Sequence, residues 1–332
     1  MRGWRLLLLA LLACATAVAT ARQPIKGAMT KPDSRPGLGC GADNGPAVPA
    51  LQRRARLAGF YDDYLAIQGT RVLQWRLDAA PRVVFDGARH VSVAGRLGYA
   101  IDAEDRLLRW RLADSGAKPE LELDSVALAS AGDSSVLAIR CDASLWQRRL
   151  DGAAAWQRIA PRALHAWVGD SFDYYINGDG RLFATGKAHR GQYGNGLLTE
   201  TTGWLAVAER ARFVVAHTGH AVFLRDDGAV LGAGGNRFGP LGTHGLGDKA
   251  DRWGVIIDGV SQIASGSRHT LALRADGTLL TWAGADGPAP KVVRSGVVAM
   301  AAGLDGSAAI DTDGVLWHWA VGGRPARVEL PR

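Results

Sequence analysis

The hydrophobic pattern is clearest in residues 266–284, GSRHTLALRADGTLLTWAG. An apolar stretch, Thr270 to Leu273, is followed by Asp276-Gly277 and then by a second apolar stretch ending at Trp282. Two short apolar runs around an Asp-Gly pair predict a β-hairpin. A third run, VSQIASG, lies just upstream, and a fourth, PKVVR, lies just downstream. Together they predict a unit of four short antiparallel strands.

The unit recurs. With Leu273 as anchor, the equivalent positions are Ile67, Ile101, Ile139, Ile176, Leu224 and Ile310, at intervals of 34, 38, 37, 48, 49 and 37 residues. A glycine precedes the anchor by seven residues at Gly132, Gly169, Gly266 and Gly303, and a Trp follows it by nine at Trp110, Trp282 and Trp319. Asp-Gly turns follow Ile176, Leu224 and Ile310 as they follow Leu273, whereas the first three units have other residues there. Periods of this size mark a solenoid or a propeller. A solenoid leaves two open ends that need polar caps, and the carboxyl end carries none, so closure is expected. The expected fold is all-β: a seven-bladed β-propeller of four-stranded antiparallel blades over residues 51–332. ARVEL at the carboxyl end and GPAVPA near residue 45 compete for the last outer strand.

Composition agrees. Glycine contributes 43 of 332 residues, nearly twice the usual share, and apolar residues make up 47%. Such a chain can bury a large core. The formal net charge of +7 comes from scattered Arg and Lys interleaved with acids, not from a run of like charge. No nucleic-acid partner is expected.

Residues 1–21 read as an export signal. Arg2 and Arg5 precede the apolar run Leu6 to Ala13, and Ala19-Thr20-Ala21 has the small-x-small form that signal peptidase accepts. The run is too short to span a membrane, and no later segment could do so. Cleavage after Ala21 is favoured. Leu11-Leu12-Ala13-Cys14 resembles a lipobox, so lipid anchoring at Cys14 is the alternative. Residues 22–50 are rich in Pro and Gly without periodicity and read as a linker or arm. The expected location is periplasmic or extracellular. A disulfide between Cys40 and Cys141 is permitted there, and two unpaired thiols are the alternative.

The repeat resembles the regulator-of-chromosome-condensation family of seven-bladed propellers. The sixth unit carries the family's first half. The fourth and fifth carry its second half, GKAHRGQYGNG from Gly186 and GGNRFGPLGTHG from Gly234. The resemblance implies a protein-interaction platform. It also includes secreted members that inhibit β-lactamases through one propeller face.

Candidate chemistry is sparse. His217 and His220 form an H-x-x-H, but across a turn between strands, and His220 shares its repeat position with His269. Asn177 to Gly180 and Asp311 to Gly314 resemble the start of a calcium loop without its downstream Glu. No nucleophile motif or phosphate loop is present. Chain direction alternates within a blade, so first and third connections share one face. His189, Arg190, Tyr193, Asn195, Asn236, Arg237, Phe238 and His244, in the two long third connections, should therefore meet Asp133, Asp170 and Asp305 at the first connections. The expected function is an exported, non-catalytic module that binds another exported or cell-envelope protein through that face, with no cofactor and no metal. A lectin-like glycan-binding propeller is the alternative, and a hydrolase using the face acids is a weaker one.

Overall fold

The computed structural model describes Cys40 and residues 56–331, apart from positions 115, 117, 152–154, 244–246 and 284–286. The export signal, Cys14, most of the linker and His244 lie outside the described residues. Within them the chain forms seven four-stranded antiparallel sheets, each from one contiguous segment: residues 57–86, 88–123, 126–160, 163–208, 211–257, 262–294 and 297–327. These are blades 1 to 7. Blade 1, whose turn is one residue shorter, is as complete as the rest. Among the described residues, no helix is long and apolar enough to cross a membrane.

All seven anchors lie in second strands and are buried, from Ile67 at 5% exposure to Ile101 and Ile139 at 0%. Each packs against a neighbouring blade. Leu224, for example, shares a cluster with Ile263 and Ala272 of blade 6. Trp282, fully buried, donates its indole N–H to the Pro240 carbonyl at 2.9 Å.

The turn between second and third strands explains the Asp-Gly signature. The residue four past the anchor adopts positive φ in six blades: Asp105, Ala143, Gly180, Gly228, Gly277 and Gly314. In that conformation its carbonyl leaves the blade. At five successive seams the carbonyl accepts an N–H at or just before the start of the next inner strand: Asp105 from Val126, Ala143 from Ala163, Gly180 from Ala211, Gly228 from Val260 and Gly277 from Val297, at 2.8–3.1 Å. The position thus serves the seam, and it keeps its conformation where glycine has been lost. Side chains of Asp227 and Asp276 accept the N–H groups of Ala229 and Thr278, and Asn177 and Asp311 likewise accept turn N–H groups, so these loops are capped turns.

The ring closes where blade 7 meets blade 1. There Gly314 accepts from the Gln68 side chain at 3.0 Å, Leu304 N–H donates to Tyr61 O at 2.7 Å, and Trp75 donates to His318 Nδ1 at 3.1 Å. Leu57, Tyr64 and Ala66 pack on Ala308 and Ile310. The last outer strand is Ala326–Arg327, from ARVEL, paired with Trp317 and His318. Cys40 and Cys141 form a disulfide, with Cα atoms 5.1 Å apart. Cys141 sits at the second turn of blade 3, so the bond ties Cys40 to that blade.

Candidate functional site

The face formed by first and third connections holds the two long loops, and the structure divides their residues into two sets. The blade 4 loop folds onto blade 5. Gly194 lies so close to Trp253 that a Cβ would fall 2.5 Å from its ring, and Trp253 N–H donates to Gly194 O at 2.9 Å. Tyr193 is buried, with its hydroxyl donating to Gly186 O, and Asn195 accepts from Leu197 N–H at 3.0 Å. The blade 5 loop folds onto blade 6 in the same way. Pro240 O accepts from Thr270 and Trp282, and buried Asn236 accepts from Leu241 N–H. Tyr193 and Asn236 therefore shape the loops from inside, and Asn195 caps a turn. A loop of this length must satisfy its own backbone polar groups, and these side chains do so.

His189, Arg190, Arg237 and Phe238 remain at the surface. Phe238 is 46% exposed. Two guanidiniums approach its ring, Arg268 at 4.8 Å and Arg237 at 5.8 Å from the centroid. Arg268 also pairs with Asp305 of blade 7 at 3.3 Å. Phe238 and Asp305 are thus joined through Arg268, which sequence reasoning missed. Its signal was present: Arg268 and Asp305 occupy the same repeat position, five before the anchor, in adjacent blades with opposite charge. Arg190 lies across the first connection of blade 5, where a Cβ on Gly219 would approach its Cδ to 2.9 Å.

Asp133 and Asp170 gather at the axis instead. Burial, and for Asp133 the charge of Asp170, hold both carboxyls above their ordinary range. Burial, with both acids nearby, raises the Tyr61 hydroxyl too. Phe60 and Tyr61 of blade 1 reach across the axis to His217 of blade 5, with centroids 5.2 and 5.9 Å from its ring. Burial pushes His217 down to about 4. Its Nδ1 contacts Thr218 Oγ1 at 2.8 Å and Ser267 Oγ at 3.2 Å, with an Asp170 oxygen 3.9 Å away. Hydroxyls and carboxylate all meet the same ring nitrogen. A relay needs nucleophile and orienting acid on opposite nitrogens, and this cluster does not provide it. His220 instead contacts Ser265 Oγ at 2.7 Å, and its equivalent His269 contacts Ser307 Oγ at 2.8 Å, so both form seams between blades. Among the described residues the one cluster of three potential metal ligands is Cys40, Asp105 and Cys141, and its two sulfurs are bonded to each other.

Seven contiguous four-stranded blades around an axial space make this chain a seven-bladed β-propeller. Residues 260–282 match the Regulator of chromosome condensation (RCC1) repeat. The chain is thus a seven-bladed propeller with one segment that matches an RCC1 repeat. Yeast RCC1 (Prp20), solved bound to Kap60, superposes with a TM-score of 0.65 at 15% identity, covering 75% of this chain and 78% of that one. Human WBSCR16 gives 0.65 at 14%, covering 77% and 86%. The CRINKLY WD40 ectodomain of the Arabidopsis thaliana receptor kinase ACR4 gives 0.57 at 13%, covering 83% and 98%. No curated protein matches the chain by sequence.

Proposed function

We propose that the protein is an exported, non-catalytic interaction module that binds another exported or cell-envelope protein through its first- and third-connection face. The observation that carries this reading is Phe238, an exposed aromatic approached by Arg237 and by Arg268, which also pairs with Asp305. Aromatic and Arg side chains anchor interfaces, because they bury large area for few lost rotamers and make forked hydrogen bonds. Among the described residues, Phe238 is the one ring with two guanidiniums over it. A lone, asymmetric patch suits a protein partner better than a repeating glycan. Protein binding by such a scaffold has precedent in Prp20, whose structural description includes binding properties to Gsp1p and histones. The Arg2 to Ala21 segment supports export.

The test is affinity capture from the producing cell's envelope with the mature protein and its Phe238→Ala and Arg268→Ala variants. The expected outcome is one protein retained by the parent and lost from both variants, with melting temperature unchanged. Retention of glycan, or of the same protein by both variants, refutes the assignment of this face.

A further inference from the structure

Two glycines leave room for one arginine on the loop-bearing face. A Cβ on Gly219 would fall 2.9 Å from Arg190 Cδ, and one on Gly235 would fall 3.2 Å from the same atom. Neither glycine has positive φ, so backbone conformation does not call for glycine at either place. A side chain at either would push Arg190 off the surface along which its stem lies. The space is kept for an exposed arginine whose guanidinium, among the described residues, meets no carboxylate.

The same strip of the face carries two more arginines. Arg237 follows Gly235 by two residues, is exposed, and likewise meets no carboxylate among the described residues. Its guanidinium approaches the ring of Phe238 instead. Thr218, next to Gly219, touches Ser267 of blade 6 through their hydroxyls, and Arg268 follows Ser267. Arg268 has one carboxylate partner, Asp305, at 3.3 Å. The long loops of blades 4 and 5 and the first connections of blades 5 and 6 thus bring forked N–H donors beside an exposed aromatic ring. At Arg190 and Arg237 those donors are not committed to an acid of the protein.

We propose that the partner of this face presents an acidic segment, whose Asp or Glu carboxylates meet Arg190 and Arg237 and whose neighbouring apolar side chain packs on Phe238. The proposal rests on the reading of this face as the protein-binding one. Guanidinium and carboxylate match in geometry through paired N–H donors. An arginine already laid along a surface loses less freedom on binding than one free in solvent. Charged groups across an interface choose the partner and fix its register, and a basic segment placed here would be repelled.

The experiment is fluorescence anisotropy of the full mature protein with three labelled peptides of equal length, repeats of Glu-Glu-Phe, Gln-Gln-Phe and Lys-Lys-Phe. The acidic peptide should bind about tenfold more tightly than the neutral one, the gain that a charged hydrogen bond represents, and the basic peptide should bind most weakly. The advantage of the acidic peptide should shrink as salt is raised. Arg190→Gln/Arg237→Gln should lose that tenfold and keep the affinity for the neutral peptide. Arg96→Gln, which removes an exposed arginine from the first connection of blade 2 on the same face, should lose nothing. All three positions are exposed, so melting temperatures should match the parent. Absence of acidic-peptide binding, equal affinity for the three peptides, undiminished binding by the double variant, or an equal loss in Arg96→Gln overturns the proposal. Envelope capture separates it from the reading on which it rests. A partner retained by the double variant and lost from Phe238→Ala keeps the face and overturns the acidic segment. A partner retained by Phe238→Ala refutes the face, and the peptides still decide whether Arg190 and Arg237 take carboxylates.

Discussion

Acidification should unfold this propeller well before its carboxylates are neutralised. Five histidines, His90, His165, His217, His220 and His269, are almost wholly buried. Burial is the main cause that lowers them from 6.5, to about 4 for His90, His217 and His269 and to about 3 for His165 and His220. The charges of neighbouring histidines lower His165, His220 and His269 further. The folded value lies below the unfolded one, so the unfolded chain binds more protons. Stability is therefore full above about 6.5 and is lost as pH falls toward the folded values. Between pH 7 and pH 5 each residue forfeits about 2 kcal/mol, and five forfeit about 10 kcal/mol, against a typical total of about 5–15 kcal/mol. Asp173 opposes this. Burial raises it to about 6, and its protonation in the folded state returns about 1 kcal/mol by pH 5. The net loss still approaches the whole stability, so the midpoint of acid unfolding should fall near pH 5. The assay is urea denaturation followed by Trp fluorescence at half-unit steps from pH 7.5 to 4.5. The expected slope near pH 5 corresponds to about four protons taken up on unfolding, the five histidines less Asp173, and His269→Gln should remove about one. A free energy that stays flat between pH 7 and pH 5 would refute the reasoning.

Three further outcomes follow from particular residues. Ala143→Gly should raise stability by roughly 1 kcal/mol in thermal melts, because it relieves a left-handed conformation at φ +67° without touching the seam carbonyl. Tyr193→Ala should cost about 3–5 kcal/mol of stability, as for any buried aromatic truncated to alanine, whereas Phe238→Ala should leave the melting temperature within a degree or so of the parent. Cys141→Ser, or reduction of the parent, should lower stability by about 4–5 kcal/mol, since the bond closes a loop with a sequence separation of 101. Unchanged melting on reduction would disprove that contribution.

The periodic part of the fold was legible because every anchor plays the same local part. It buries one apolar side chain against the next blade, three residues before a turn. Blades 2 and 3 remained legible without their glycines because Asp105 and Ala143 still present the same carbonyl to the next blade. The binding residues were less legible. A Tyr in a Gly-rich loop suggests exposure, yet Tyr193 turns inward, since a long loop folded onto its neighbour needs an interior of its own. Phe60 and Tyr61 carried no signal, because their contact with His217 crosses the axis between positions that the repeat does not relate. The Cys40–Cys141 pairing was equally nonlocal: spacing cannot show that two Cα atoms lie 5.1 Å apart.

Many closed rings clasp their ends by sharing a blade between the two termini. Here each blade is drawn from one uninterrupted stretch, and the two ends of the barrel meet across a seam like any other. The covalent brace runs from Cys40 to blade 3, around blades 1 and 2, and does not span that meeting point. The chain is therefore fastened as an arc rather than as a hoop. Under heat or mechanical load the gap should open between blade 7 and blade 1, where a Gln68 side chain stands in for the backbone bond that joins five of the other seams. For the same reason, new termini cut at another inter-blade link should yield a ring with equivalent blades, provided the disulfide partners remain in place.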